Sequence, residues 1–204
     1  MKKGRVEYIT KISVLAVISA LLMLLEFPLP FAPAFYELDL SEIAVLISGF
    51  ALGPMAGVLT ELIKVLLNLL MNGTATAFVG EISNFVIGVS FVLPASLIYK
   101  YRKNFSGALI GMVIGTLCLA VIGAFINYYV LVPAYSRFFM PMEKIVAMGT
   151  AVNSNIDGLK TLVLFATVPF NFFKGVICSV VTALVYKRVS PILHKKFSKS
   201  PQEV

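Results

Sequence analysis

Asn171 and Lys174 sit three residues apart inside an apolar run near the C-terminal end of the chain. In a helix that spacing puts both side chains on one face. The amide brings donors and an acceptor, the ammonium three donors and a charge. Such a pair can grip a planar polar ligand through charge-assisted hydrogen bonds. The competing reading is internal: an ion pair for the lysine and a backbone bond for the asparagine. Asn127-Tyr128-Tyr129 ends an earlier apolar run. Its amide matches the imide edge of a heterocycle. Its tyrosines either stack on an aromatic ring or, the better expectation for the tyrosines alone, mark a membrane–water interface.

Three further groups carry polar atoms where they are costly. Glu81 and Asn84 repeat the spacing of three, with Gly80 and Gly88 flanking them. Glu81 either meets a ligand or caps the start of its own helix, where the dipole favours a negative charge. Glu61 and Lys64 lie one turn apart in mid-run. A structural ion pair is expected there, since each offsets the other's desolvation; proton coupling is the alternative. Tyr36-Glu37-Leu38-Asp39 places an aromatic and two carboxylates in an early loop, able to cover a hydroxylated ligand tail or to remain a solvated connection. Asp39 or Ser41 is placed to cap the helix that follows.

The elements that position these residues are membrane helices. Apolar residues make up 59% of the 204 and charged residues 13%, about half the charge of an ordinary soluble domain at roughly 25%. Apolar runs extend over about 9–27, 41–52, 55–71, 78–99, 106–131 and 161–189, and a connection spans 132–160. Prolines 28, 30 and 33 stop the first run, and Gly53-Pro54 separates the second from the third. The first run follows Lys2, Lys3 and Arg5 but lacks a clear cleavage site, and is read as a retained helix. Gly107, Gly111 and Gly115, four apart, permit close helix approach. So do Ala16 and Ala20 on the first run.

The expected architecture is an all-α integral membrane bundle of six transmembrane helices. It forms one domain over 1–195, with a basic tail over 196–204. Of the 17 Lys and Arg residues, 12 fall in three clusters: before the first run, after the fourth, and at the C-terminus. An even number of spans puts all three on one side, which the positive-inside rule makes cytoplasmic, termini included. The net charge of +7 therefore reads as an orientation signal, and no nucleic-acid partner is expected. His194 is the single histidine, so no histidine metal site or catalytic triad can be assembled, and an enzyme is not expected. Cys118 and Cys178 read as buried hydrophobes. No phosphate-binding G-x-x-x-x-G-K-[ST] motif occurs, so uphill transport would need energy from another chain.

Several of these stretches together resemble the riboflavin-binding S components of energy-coupling factor (ECF) transporters. They are the segment from Phe35 to Glu42, Gly49 to Pro54, Asn68 to Leu70, Asn72 to Thr74, Gly80 to Phe85, Asn127 to Tyr129, and Pro169 to Gly175, in the family's order over about residues 8–195. The resemblance implies a subunit of the bacterial plasma membrane that binds riboflavin from outside. Asn127, Asn171 and Lys174 would hold the polar edge of the isoalloxazine ring, and the first loop near Leu38 and Asp39, with Tyr36 beside them in that loop, would cover the ligand. Glu81, Asn84 and Tyr128 complete the expected site. Ala16 and Ala20 would dock on a membrane scaffold subunit joined to two ATP-binding subunits. Flavin is then transported substrate, not cofactor. FMN would need extra cations, for which Arg137, Lys144 and Lys160 are candidates. Another vitamin, or a proton-coupled carrier built on Glu61 and Lys64, are the alternatives.

Overall fold

A computed structural model describes residues 3–74 and 76–194 of the chain. The basic tail expected over 196–204, and Lys2, Lys195, Lys196 and Lys199 among the orientation signals, lie outside the described residues.

Helix α1 (Lys3–Met23) stops about four residues earlier than its apolar run. The reason is local: Phe27–Pro28 (β1) pairs antiparallel with Glu37–Leu38 (β2), in the register Phe27 to Leu38 and Pro28 to Glu37. Prolines 28, 30 and 33 keep the intervening segment out of the helical well, and the ribbon folds it back over one end of the bundle. Helix α2 (Glu42–Leu52) is buried over nine of its eleven residues. A helix apolar all round belongs in the centre, and α2 is enclosed by α1, α3, α4 and α9. At 1.5 Å per residue it is about 16 Å long, roughly half the hydrocarbon thickness.

Gly53, at φ 102°, makes the reversal into α3 (Pro54–Asn72), and Pro54 supplies its first turn. Helix α4 (Val79–Tyr101) follows a tight loop in which Ala77 and Phe78 take positive φ. Helix α5 (Phe105–Ile126) is capped by Asn104, whose side chain accepts from the Gly107 amide at 2.7 Å. The glycines of α5 act as expected against α4. A β-carbon on Gly111 would lie 2.5 Å from the Ala95 carbonyl oxygen, and one on Gly115 would lie 2.6 Å from that of Phe91.

The chain beyond α5 departs from the expected connection. It continues through a π-helical turn (Asn127–Leu131) into α6 (Val132–Phe138), then α7 (Met142–Thr150) and α8 (Leu159–Leu162). A second π turn (Val163–Thr167) leads into α9 (Val168–His194). Val132, Ile145, Ile156 and Leu162 join Ala32, Tyr36, Leu38 and Phe170 in a small core of their own. The segment is thus a packed cap, because Val132, Ile145 and Ile156 turn towards the first loop. A larger core runs through the bundle around Leu46, Phe91, Val92, Met112 and Cys178.

Among the described residues, five segments are long and apolar enough to cross a membrane: Gly4–Met23, Pro54–Asn72, Val79–Tyr101, Phe105–Phe138 and Leu159–Tyr186. Helix α2 is the shorter apolar one. The all-α membrane bundle holds. Charge is buried at its centre. Lys64 Nζ lies 2.7 Å from Glu61 Oε2, the expected pair, and 2.9 Å from Glu42 Oε1, with all three side chains buried. Glycine at 88 leaves room for this cluster, since any β-carbon there would collide with the Glu61 carboxylate.

Candidate functional site

Between the cap and the bundle lies a cavity of about 570 Å³, within the range of small-molecule sites. The first loop and ribbon contribute Tyr36, Glu37 and Asp39, α4 contributes Ser83 and Asn84, the first π turn Asn127, and α9 Phe170, Asn171 and Lys174. Both π turns lead into this region. Such turns insert an extra residue into a helix and re-aim its side chains, and they recur at functional sites. Here they put Asn127 and Thr167 on either side of Tyr36. The Tyr36 hydroxyl lies 3.0 Å from Asn127 Oδ1, to which it donates, and shares a 2.6 Å bond with Thr167 Oγ1. Its ring stacks on Phe170, with centroids 5.1 Å apart. Burial pushes the phenol up from its ordinary value, so it remains a donor.

The two asparagines are held by their own helices. Asn127 Nδ2 donates to the Gly123 carbonyl at 2.8 Å, and Asn171 Nδ2 to that of Thr167 at 3.0 Å. Gly123 also makes room for Asn171, whose amide nitrogen would lie 2.7 Å from a β-carbon there. Each of these bonds uses one of an amide's two N–H donors. Each Asn therefore keeps hydrogen-bonding capacity for a ligand.

Lys174 donates to Asp39 Oδ2 at 2.6 Å, and both side chains are nearly buried. Asp39 Oδ1 accepts the Ser41 amide at 2.9 Å and the Ser41 hydroxyl. That hydroxyl in turn accepts from Lys64 Nζ at 3.2 Å. Burial by itself would raise the Asp39 carboxyl, but the ammoniums of Lys174 and Lys64 and these hydrogen bonds outweigh it and hold it down at about 2. The carboxylate therefore stays ionised, and one polar chain runs from the cavity wall to the central Glu42–Glu61–Lys64 cluster. Neither Asp39 nor Ser41 caps α2 through its side chain; both are turned into this chain instead.

Of the residues expected at the site, Tyr36, Asp39, Asn84, Asn127, Asn171 and Lys174 line the cavity. Leu38, Glu81 and Tyr128 are not in its lining. Leu38 alternates to the other face of the ribbon and packs in the cap core. Glu81 accepts from Thr76 Oγ1 at 2.7 Å and braces the loop before α4. Tyr128 rests edge-on against Tyr129, next to the position whose side chain the π turn directs inward. Ala16 and Ala20 are 0% and 1% exposed. They form the inner face of α1, and Val14, Val17, Ile18 and Leu21 face outward. The small-residue strip thus serves close packing within the chain.

The site region also draws on Thr167, Phe170 and Glu26. Phe170 lies within the Pro169–Gly175 stretch, so its signal was present; Thr167 and Glu26 become visible only once the π turn and the ribbon are known. A second hollow of about 470 Å³, between α5 and α9, offers only Thr116 and Ser179 as polar groups, too little to orient a polar heterocycle.

A family model described as ECF transporter, substrate-specific component, matches residues 7–186. The chain is 33% identical over 184 residues to the riboflavin transporter RibU of Staphylococcus aureus (strain TCH60), covering 90% of each chain. It is 29% identical over 195 residues to the riboflavin transporter FmnP of Bacillus subtilis (strain 168), covering 95% of this chain and 97% of that one. A solved S component of a bacterial ECF transporter superposes with a TM-score of 0.72 at 30% identity, over 94% of this chain and 99% of the other.

Proposed function

Because the chain belongs to the substrate-specific components of ECF transporters, we propose that it is the riboflavin-binding subunit of a bacterial vitamin importer. It is a transport component and not an enzyme. It captures the vitamin from outside the cell and relies on a separate membrane scaffold and two ATP-binding subunits for energy. In this reading α2 completes a set of six membrane segments, both termini face the cytoplasm, and the cap lies on the outer surface.

One observation carries the substrate reading: three amides and an ammonium converge on a largely apolar cavity of about 570 Å³. A flat heterocycle with an imide edge and apolar faces suits that combination. Lys174 has three donors and spends one on Asp39, leaving two for ring carbonyls. Asn127 and Asn171 provide the complementary donors and acceptors. Phe170 and Tyr36 present stacked aromatic surface to the ring, while Asn84 and Asp39 sit where hydroxyls of a polyol tail can bond. The carrier alternative is disfavoured by the central cluster, where buried Lys64 is held by two carboxylates, as a structural ion pair would be.

The test is co-purification. The chain expressed in a flavin-replete host, extracted in detergent and denatured, should release a yellow compound with riboflavin's absorbance and chromatographic retention. Release of an unrelated vitamin would overturn the assignment.

A further inference from the structure

The acidic edge of the cavity has no part in the site as proposed. Glu26 follows the end of α1, and Glu37 opens β2. The ribbon register sets Glu37 opposite Pro28, two residues from Glu26, so the two carboxylates come together at one end of the ribbon. Both line the cavity, as does Asp39. Among the described residues of that lining, the one cation is Lys174, and its ammonium is already bound to Asp39 at 2.6 Å. Neither Glu26 nor Glu37 enters a salt bridge among the described residues. The cations of the cap do not compensate. Arg137, Lys144 and Lys160 are absent from the lining, and Arg137 leans over the Phe138 ring instead, 6.0 Å from its centroid.

Resting on the riboflavin reading, we propose that Glu26 and Glu37 form a specificity rim that admits the uncharged vitamin and disfavours its phosphorylated forms. A phosphate monoester brings about −1.5 to −2 charges at neutral pH. Entering this cavity, it meets two carboxylates and no uncommitted cation. Discrimination built on repulsion costs the favoured ligand little, because riboflavin's polyol hydroxyls donate to the same carboxylates. The rim also makes the preference depend on pH. Partial burial, the hydrogen bond to Glu37 and the charges of Glu37 and Asp39 push the Glu26 carboxyl up to about 7, against the opposing pull of Lys174. Below that value Glu26 is protonated; above it Glu26 is ionised and the repulsion of an anion is greater.

The experiment is a pair of equilibrium titrations on the detergent-purified full chain at low ionic strength, with riboflavin and FMN as probes. It compares wild type with E26Q, E37Q and the double variant at pH 6 and pH 8. The readout is the ratio of the FMN to the riboflavin dissociation constant, so each variant carries its own reference. Wild type should show a ratio well above one that grows from pH 6 to pH 8. The double variant should lower the ratio at least fivefold, and E26Q should flatten the part of its pH dependence that exceeds the phosphate's own ionisation. A ratio unmoved by the double variant overturns the rim while leaving riboflavin binding intact. Absence of riboflavin binding in wild type overturns the underlying reading instead. Should the variants fail to fold, salt decides: raising ionic strength should narrow the wild-type ratio several-fold, and a salt-independent ratio overturns the rim.

Discussion

Replacing Lys174 with methionine keeps much of the side-chain volume and removes the ammonium. Asp39 is then left in a nearly dry site with Ser41 as its remaining close partner and Lys64 one hydroxyl away. Stranding one member of a buried pair costs about 3–5 kcal/mol. Because the pair is a short 2.6 Å contact with both side chains nearly buried, most of that range should apply, and the variant should melt well below wild type. Flavin binding should fall at least tenfold, equivalent to about 1.4 kcal/mol, since two free ammonium donors disappear as well. These two losses have different causes, and a second variant separates them. In D39N/K174M neither charge is buried, so stability should return most of the way. Binding should stay at least tenfold weak, because no ammonium faces the ring. Thermal unfolding in detergent and fluorescence-quenching titrations on both variants provide the readout. A double variant that binds riboflavin as wild type does would show that Lys174 merely restrains Asp39, and would refute its place in the site. A single variant with unchanged melting would refute the ion pair.

Other perturbations follow from the same geometry. K64M should be more damaging than E61Q, because it leaves Glu42 and Glu61 facing each other without a cation; equal melting temperatures would contradict the cluster. Asp39 makes the fold acid-sensitive. Its carboxyl is depressed from 3.8 to about 2, so its contribution is present above pH 4 and lost as pH falls towards 2, amounting to about 2 kcal/mol at 1.36 kcal/mol per unit. D39N should flatten that part of the stability–pH curve. Replacing Ala16 and Ala20 with leucine should lower the melting temperature of the isolated chain, since both are buried; unaltered melting would place the strip outside.

Much of this arrangement was legible from residue types. Apolar run lengths located the long helices, and the spacing of Asn171 and Lys174 put both on the cavity face of α9. The glycine ladder of α5 marked its contact with α4. What escaped was whatever depends on irregular backbone. A π turn shifts the face by one residue, so the sequence cannot say that Asn127 points inward and Tyr128 does not. The resemblance implies Leu38 at the site, but a strand alternates sides, and the register that decides between them is set by Phe27 some ten residues away. The identity of Lys174's partner was equally hidden: Asp39 lies 135 positions earlier, and only the folded-back ribbon brings it near. Ala16 and Ala20 show the converse, because a small-residue strip has the same appearance whether its partner is another helix of the chain or another protein.

The most direct measurement is an equilibrium titration of the purified wild-type chain with riboflavin, followed by quenching of flavin fluorescence, beside the same titration of K174M. Saturation at one flavin per chain, with the variant's curve displaced at least tenfold to weaker binding, is the result expected. A wild-type chain that leaves riboflavin fluorescence unquenched at every concentration, while remaining folded by circular dichroism, would contradict the account.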